Sequence, residues 1–121
     1  MAKVLIVDDS PTQLASLKRI VEKMGHEAIT AEDGAAGVEA AKRDMPNLIL
    51  MDVVMPNLNG FQATRQISRD EQTSHIPVIL VTTKDQETDR VWGMRQGAKG
   101  YITKPVNETE LVKTIREHLA G

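Results

Sequence analysis

The sequence contains no cysteine, few aromatic residues and no large excess of charge of either sign. Without cysteine, the chain can form neither a disulfide framework nor a thiol-based catalytic site. The formal net charge of -2 gives no reason to expect nucleic acid as a partner. No apolar run approaches the ~18 residues of a membrane span, and the start of the chain does not have the pattern of a signal peptide. We therefore expect a cytoplasmic protein without membrane insertion.

The 121 residues are 40% hydrophobic and 26% charged, which is typical of a globular protein. A chain of this length can bury one hydrophobic core. We therefore expect a single domain over residues 1–121. Since no second domain follows Gly121, a DNA-binding output is not expected.

Short apolar runs alternate with longer segments of helical periodicity. The apolar runs predict five buried strands: KVLIV (3–7), EAIT (27–30), NLILMD (47–52), IPVILVT (76–82) and GYIT (100–103). Helices are predicted after each strand: from Pro11 to a stop at Gly25, from a cap at Asp33 to a stop at Pro46, over 61–69, over 84–96, and from a cap at Asn107. This alternation indicates an α/β fold, a doubly wound five-stranded parallel sheet flanked by five helices.

Two helices carry further expectations. Residues Ser10–Gln13 form a capping-box pattern at the start of the first helix. In the fourth helix, Val91, Met94 and Ala98 are the expected inward stripe. Trp92 lies off that stripe, and two interpretations stay open: a ring partly buried beside the fifth strand, or an anchor for a partner protein.

Polar residues interrupt the apolar pattern at the carboxyl ends of the predicted strands. Asp8 and Asp9 end the first strand, Asp52 ends the third, Thr82 ends the fourth, and Lys104 follows the fifth. In such sheets the ligand crevice lies at this edge. Each residue alone has a structural explanation, such as a helix N-terminal acid, a turn residue or a cap. Together, on one sheet edge, they favour a functional site.

The chemistry of this group suits a phosphoryl ligand. Three clustered carboxylates repel one another, and Mg²⁺ relieves the repulsion because it prefers carboxylates combined with carbonyl, water and phosphate oxygens. Lys104 adds a positive charge and Thr82 a hydroxyl donor. Asp52 is then the expected nucleophile, which forms an acyl phosphate.

Four segments together form a specific pattern: VLIVDDSP (4–11), LILMDVVMPNLNG (48–60), PVILVTT (77–83) and GAKGYITKP (97–105). On these segments the chain resembles, over its whole length, the receiver domain of bacterial response regulators, in the single-domain CheY-like group. The resemblance implies the strand order 2-1-3-4-5. Residues 60–106 are most similar to regulators of the chemosensory system that controls type IV pilus twitching motility.

The resemblance also implies a role for each site residue. Asp52 would be the phosphoacceptor, and Lys104 would pair with the phosphoryl group. Asp9, Asp52 and the backbone carbonyl of Val54 would bind Mg²⁺ directly, and Asp8 through water. Val54 should also affect dephosphorylation, because a branched apolar side chain cannot orient an attacking water.

The implied conformational switch consists of Thr82 and Tyr101, whose hydroxyl and ring would move together on phosphorylation. The Lys104–Pro105 peptide would be cis. The implied partners are a sensor histidine kinase or a histidine phosphotransfer domain, and a downstream effector. The effector would bind the face of the fourth helix, fifth strand and fifth helix, where Trp92 and Tyr101 lie, and the protein is expected to be a monomer.

Alternative functions remain at this point. A Mg²⁺-dependent phosphatase with an aspartate nucleophile needs a second aspartate two residues later, where Val54 stands. A flavin-binding protein of similar fold needs a phosphate-binding loop after the first strand, where DDSPT (8–12) would repel the phosphate. The resemblance implies no turnover enzyme, and leaves open whether the protein carries an output or drains phosphate from the kinase.

Overall fold

The computed structural model describes residues 1–119, so residues 120–121 of the expected domain lie outside the described part. The strands are β1 (Lys3–Val7), β2 (Glu27–Ala31), β3 (Leu48–Met51), β4 (Val78–Thr82) and β5 (Gly100–Thr103). The helices are α1 (Pro11–Lys23), α2 (Gly34–Asp44), α3 (Gly60–Arg69), α4 (Glu87–Arg95) and α5 (Glu108–Leu119). None of the helices between residues 1 and 119 combines the length and the apolar composition that crossing a bilayer requires.

Within the described residues, the five strands form one parallel sheet in the order β2-β1-β3-β4-β5. This confirms the predicted α/β fold and strand order. Successive side chains of a strand point to opposite faces, so each central strand contributes to two cores. Leu5 and Val7 of β1 pack on one face with residues of α2 and α3. Val4 and Ile6 pack on the other face with residues of α1 and α5.

The first helix begins as predicted, but its cap differs from a full capping box. The Ser10 side chain accepts a hydrogen bond from the Gln13 backbone N–H at 3.3 Å. The backbone N–H of Ser10 donates to Asp8 Oδ1 at 2.9 Å and not to Gln13. An acidic residue of the strand end therefore takes the place that the capping-box glutamine would fill, which ties the start of α1 to Asp8.

The expectation for the fourth helix was wrong in two respects. α4 begins at Glu87 and not at Lys84: the Gln86 N–H donates to Asp89 Oδ2 at 3.3 Å, and the Asp89 N–H donates to the Gln86 carbonyl at 3.0 Å. Val91 and Met94 are exposed and do not form an inward stripe; only Ala98 of that set is buried, beyond the end of the helix.

A glycine explains how α4 packs without that stripe. Gly93 is the buried residue of α4, and a Cβ there would lie 2.6 Å from Leu80 Cδ1. Such a distance is too short for real Cβ contacts, so the helix backbone approaches β4 closely through Gly93. The backbone contact takes the place of apolar side chains, which stay on the surface.

The other boundaries shift by one or two residues. β2 extends to Ala31, while β3 and β4 are shorter than the apolar runs that predicted them. α3 starts at Gly60 with a capping box between Asn59 and Gln62, which the sequence reading did not identify. β1 and β5 have the predicted bounds.

Candidate functional site

The sheet register brings the predicted site residues together at one edge. Val7 pairs with Met51, so Asp8 and Asp52 both follow the last paired residues of β1 and β3. The ladder continues one step further, because the Asp52 N–H donates to the Val7 carbonyl at 2.9 Å. On the other side, the Lys104 N–H donates to the Thr82 carbonyl at 2.8 Å. Backbone hydrogen bonds thus hold these residues in place independently of their side-chain contacts.

The three aspartates form a compact cluster. One carboxylate oxygen from each of Asp8, Asp9 and Asp52 lies within 4.8 Å of the others. Asp8 and Asp52 are buried, at 1% and 6% exposure, whereas Asp9 is exposed. The exposed carboxylate of Asp9 lies at the solvent side of the two buried ones. A ligand can therefore reach the cluster from the crevice.

Lys104 supplies positive charge beside this cluster. Its Nζ lies 2.7 Å from Asp8 Oδ2 and 3.5 Å from Asp52 Oδ1. The Lys104–Pro105 peptide is cis, as predicted. One ammonium beside three carboxylates leaves the cluster with excess negative charge and with only oxygen ligands. That combination fits a hard divalent cation such as Mg²⁺.

The electrostatic environment changes the titration of Asp52. Burial raises the pKa of Asp52 above its usual value, and the nearby charge of Asp8 raises it further. Lys104 and the Val53 N–H act in the opposite direction and lower this pKa, but they do not cancel the increase. The ionised form of Asp52 is therefore held at a cost that a cation in the crevice would reduce.

The loop after β3 approaches Asp52 closely. The Val53 N–H donates to Asp52 Oδ1, and the Gly60 N–H donates to the Val53 carbonyl, each at 2.9 Å. A Cβ on Gly60 would overlap the Asp52 carbonyl oxygen, so glycine is needed for this approach. Val54 is 54% exposed, and its side chain lies at the surface of the loop.

Thr82 and Tyr101, the predicted switch pair, both form hydrogen bonds with the backbone of Lys84. Thr82 is fully buried, and its Oγ1 accepts a hydrogen bond from the Lys84 N–H at 3.3 Å. The Tyr101 hydroxyl donates to the Lys84 carbonyl at 2.7 Å. The Tyr101 ring is buried, and burial is the main cause that raises its pKa to about 12. The contacts of Lys84 with both residues are made by its backbone N–H and carbonyl, and the sequence pattern did not predict them.

The surface beside Tyr101 belongs to α4. Trp92 is 48% exposed, so about half of the residue is accessible to solvent. The Arg90 guanidinium lies over the Tyr101 ring, 5.2 Å from its centroid. Sequence reasoning missed Arg90, because an arginine in an exposed helix has no distinguishing pattern.

Comparison with known proteins agrees with the geometry. Residues 4–116 match the family described as the response regulator receiver domain. The chain is 60% identical over 121 residues to Protein PilH of Pseudomonas aeruginosa, with 100% of both chains covered. Among solved structures, it is similar to chemotaxis protein CheY4 of Vibrio cholerae, with a TM-score of 0.92 and 32% identity over 98% of this chain and 99% of that chain.

A further similar structure is the receiver domain of a sensor histidine kinase from Pseudomonas aeruginosa, which has a magnesium ion coordinated in its active site cleft. Its TM-score is 0.91 and its identity 28%, over 99% of this chain and 98% of that chain. Because the family match covers residues 4–116 and one relative is 60% identical over the full length, the chain belongs to the response regulator receiver domain family.

Proposed function

We propose that this chain is a phosphorylation-controlled signalling protein that accepts a phosphoryl group on Asp52. One observation carries the proposal: a buried carboxylate at the end of a central strand lies beside a second buried acid and a lysine ammonium. Receiver domains act in two-component signalling, and the expected donor is a phosphohistidine on a sensor kinase or a histidine phosphotransfer domain.

Asp52 would attack phosphorus with one carboxylate oxygen while the bond from phosphorus to the histidine nitrogen breaks. The electron pair of that bond leaves with the imidazole, so no other reactant is needed. Lys104 is placed to neutralise charge on the transferred oxygens, since its Nζ already lies 3.5 Å from Asp52 Oδ1. Thr82, buried at the end of β4, would present its hydroxyl to the new phosphoryl group.

Asp8, Asp9, Asp52 and the Val54 carbonyl would hold Mg²⁺, with Asp8 acting through water. When bound, the cation would supply charge neutralisation for the phosphoryl oxygens. The three carboxylates support this assignment, because their oxygens lie within 4.8 Å of one another.

Phosphorylation would be read out through Thr82 and Tyr101 by an effector that binds the face of α4, β5 and α5. The exposed ring of Trp92 supports this face as the binding surface. The protein would act in the cytoplasm as a monomer. Its resemblance to pilus regulators supports a role in the control of type IV pilus twitching motility. Output to an effector and drainage of phosphate from the kinase are two forms of this function.

The test is incubation of the folded protein with acetyl phosphate, with and without Mg²⁺, followed by intact-mass spectrometry. We expect one added phosphoryl group in the wild type with Mg²⁺ and none in Asp52→Asn. Asp85→Asn, an exposed aspartate in the loop after β4, is the matched control and should be modified like the wild type. Sustained turnover of a phosphate monoester would instead favour a phosphatase.

A further inference from the structure

The ring of Tyr101 is in contact with α4 and with the loop that precedes it. Its hydroxyl donates to the Lys84 carbonyl at 2.7 Å. The Arg90 guanidinium covers one part of the ring, 5.2 Å from its centroid. A Cβ at Gly93 would lie 3.5 Å from Tyr101 Cδ2, so the helix backbone is adjacent to the ring edge. The ring therefore lies against three residues: Lys84, Arg90 and Gly93.

We propose that Arg90 is a positioning residue that holds Tyr101 inward before phosphorylation and so sets the ease with which the switch operates. This inference rests on the proposed function, because it concerns the switch of the same site. It adds a residue that neither the sequence pattern nor the family match points to.

The first turn of α4 places Arg90 for this role. The Asp89 side chain accepts a hydrogen bond from the Gln86 N–H at 3.3 Å and also pairs with Lys84, whose Nζ is 3.8 Å away. The start of the helix is therefore tied to the segment that carries the Lys84 carbonyl. Arg90, the next residue along, stays exposed and closes the solvent side of the Tyr101 ring.

The chemistry of the contact favours the inward ring. A guanidinium over an aromatic face is attracted by the negative charge of that face, and the attraction disappears when the ring turns away. The hydrogen bond from the Tyr101 hydroxyl to the Lys84 carbonyl, at 2.7 Å, also requires the inward ring. Arg90 therefore stabilises the inward position of the ring.

Linkage connects this preference to phosphorylation. If the phosphoryl group binds with the ring inward, its apparent affinity is proportional to the fraction of molecules in which the ring is inward, so a contact that favours the inward ring also favours phosphoryl binding. Loss of Arg90 should therefore increase the outward population and weaken binding of a phosphoryl analogue. From the typical strength of an exposed cation–π contact, we expect the ring equilibrium to change about two- to five-fold and the affinity for the analogue to fall by at most that factor.

The test uses the fact that the chain contains one tyrosine. Protein labelled with 3-fluorotyrosine gives a single tyrosine resonance by fluorine NMR, and bound beryllofluoride gives separate resonances in the same spectrum. The variants are Arg90→Gln, Arg90→Lys as the charge-conserving rescue, and Arg95→Gln as an exposed arginine of the same helix. Spectra are recorded without and with beryllofluoride and Mg²⁺, and circular dichroism checks that each variant is folded.

Without beryllofluoride, we expect the Arg90→Gln resonance to move toward that of the urea-unfolded protein, while Arg90→Lys and Arg95→Gln stay near the wild type. With beryllofluoride, Arg90→Gln should return to the wild-type position and require a higher analogue concentration. An Arg90→Gln spectrum identical to the wild type, or an equal shift in Arg95→Gln, would overturn the inference. If the wild type shows no bound beryllofluoride, the proposed function fails, while the ring position without analogue still decides the role of Arg90.

Discussion

Replacing Lys104 by methionine removes the ammonium whose Nζ lies 2.7 Å from Asp8 Oδ2 and 3.5 Å from Asp52 Oδ1. Methionine keeps a similar length and apolar stem but leaves the two buried carboxylates without this counter-ion. The change therefore tests whether the acid cluster depends on nearby positive charge. The expected result is a loss of stability that Mg²⁺ largely restores.

The magnitude follows from the burial of the pair. Removing one partner of a buried ion pair costs about 3–5 kcal/mol, and the lower end applies here because protonation of an acid can relieve part of the repulsion. The side chain of Lys104 is 10% exposed and that of Asp8 is 2% exposed, so little solvent screening is available. For a domain of this size, a loss of about 3 kcal/mol lowers the melting temperature by about 12 °C.

The assay is urea denaturation of wild type and Lys104→Met, with and without Mg²⁺. At a concentration about 100 times its dissociation constant, a bound ion adds about 2.7 kcal/mol to the free energy of unfolding. The gain should be larger in Lys104→Met, because the ion no longer competes with the ammonium for Asp8. Lys23→Met removes an exposed pair with Glu108 at 3.1 Å and should change stability by less than about 1 kcal/mol. A Lys104→Met protein as stable as the control, or one that gains no more from Mg²⁺ than the wild type, would refute the reasoning.

Four further predictions concern the site. Burial and the charge of Asp8 raise the pKa of Asp52 in the folded protein above its value in the unfolded chain, so the native state binds a proton on Asp52 more tightly. The free energy of unfolding therefore falls as the pH rises from the unfolded pKa to the folded pKa. Asp52→Asn should thus be more stable than the wild type at neutral pH and similar in acid by urea denaturation; an equal difference at both pH values would contradict this. A Cβ on Gly60 would lie 2.7 Å from Val53 Cα, so Gly60→Ala should lose about 1–3 kcal/mol and phosphorylate poorly, whereas a stable and fully active variant would contradict the close approach. Because the pKa of Tyr101 is about 12, the folded protein should show almost no tyrosinate absorbance at pH ~10, where a free tyrosine is half ionised. A titration curve with the usual pKa would show that the ring is not buried. Val54→Asn should lose its phosphoryl group faster in a dephosphorylation time course, and an unchanged rate would remove Val54 from this role.

Much of the site could be predicted because its signal is chemical. Polar residues at the ends of buried apolar strands are unusual, and parallel-sheet geometry brings the ends of neighbouring strands to one edge. That reasoning placed Asp8, Asp52 and Lys104 together, and the structure confirms their proximity. Asp9 lies in the same cluster, although it is exposed.

The fourth helix could not be predicted in the same way because its packing uses backbone. Periodicity detects apolar side chains that face a core, but α4 approaches β4 through Gly93, which has no side chain to detect. The apolar residues Val91 and Met94 then remain exposed and mislead the pattern. The contributions of the Lys84 carbonyl and of Arg90 likewise depend on tertiary placement, which no local pattern encodes.

The most direct test of the central claim is to locate the modified residue after phosphotransfer from a phosphohistidine donor with Mg²⁺. Reduction of the acyl phosphate by borohydride, followed by peptide mass spectrometry, marks the acceptor aspartate. We predict a single modified position, Asp52, and loss of modification in Asp52→Asn. A folded wild-type protein that stays unmodified, or one modified at another residue, would contradict the account.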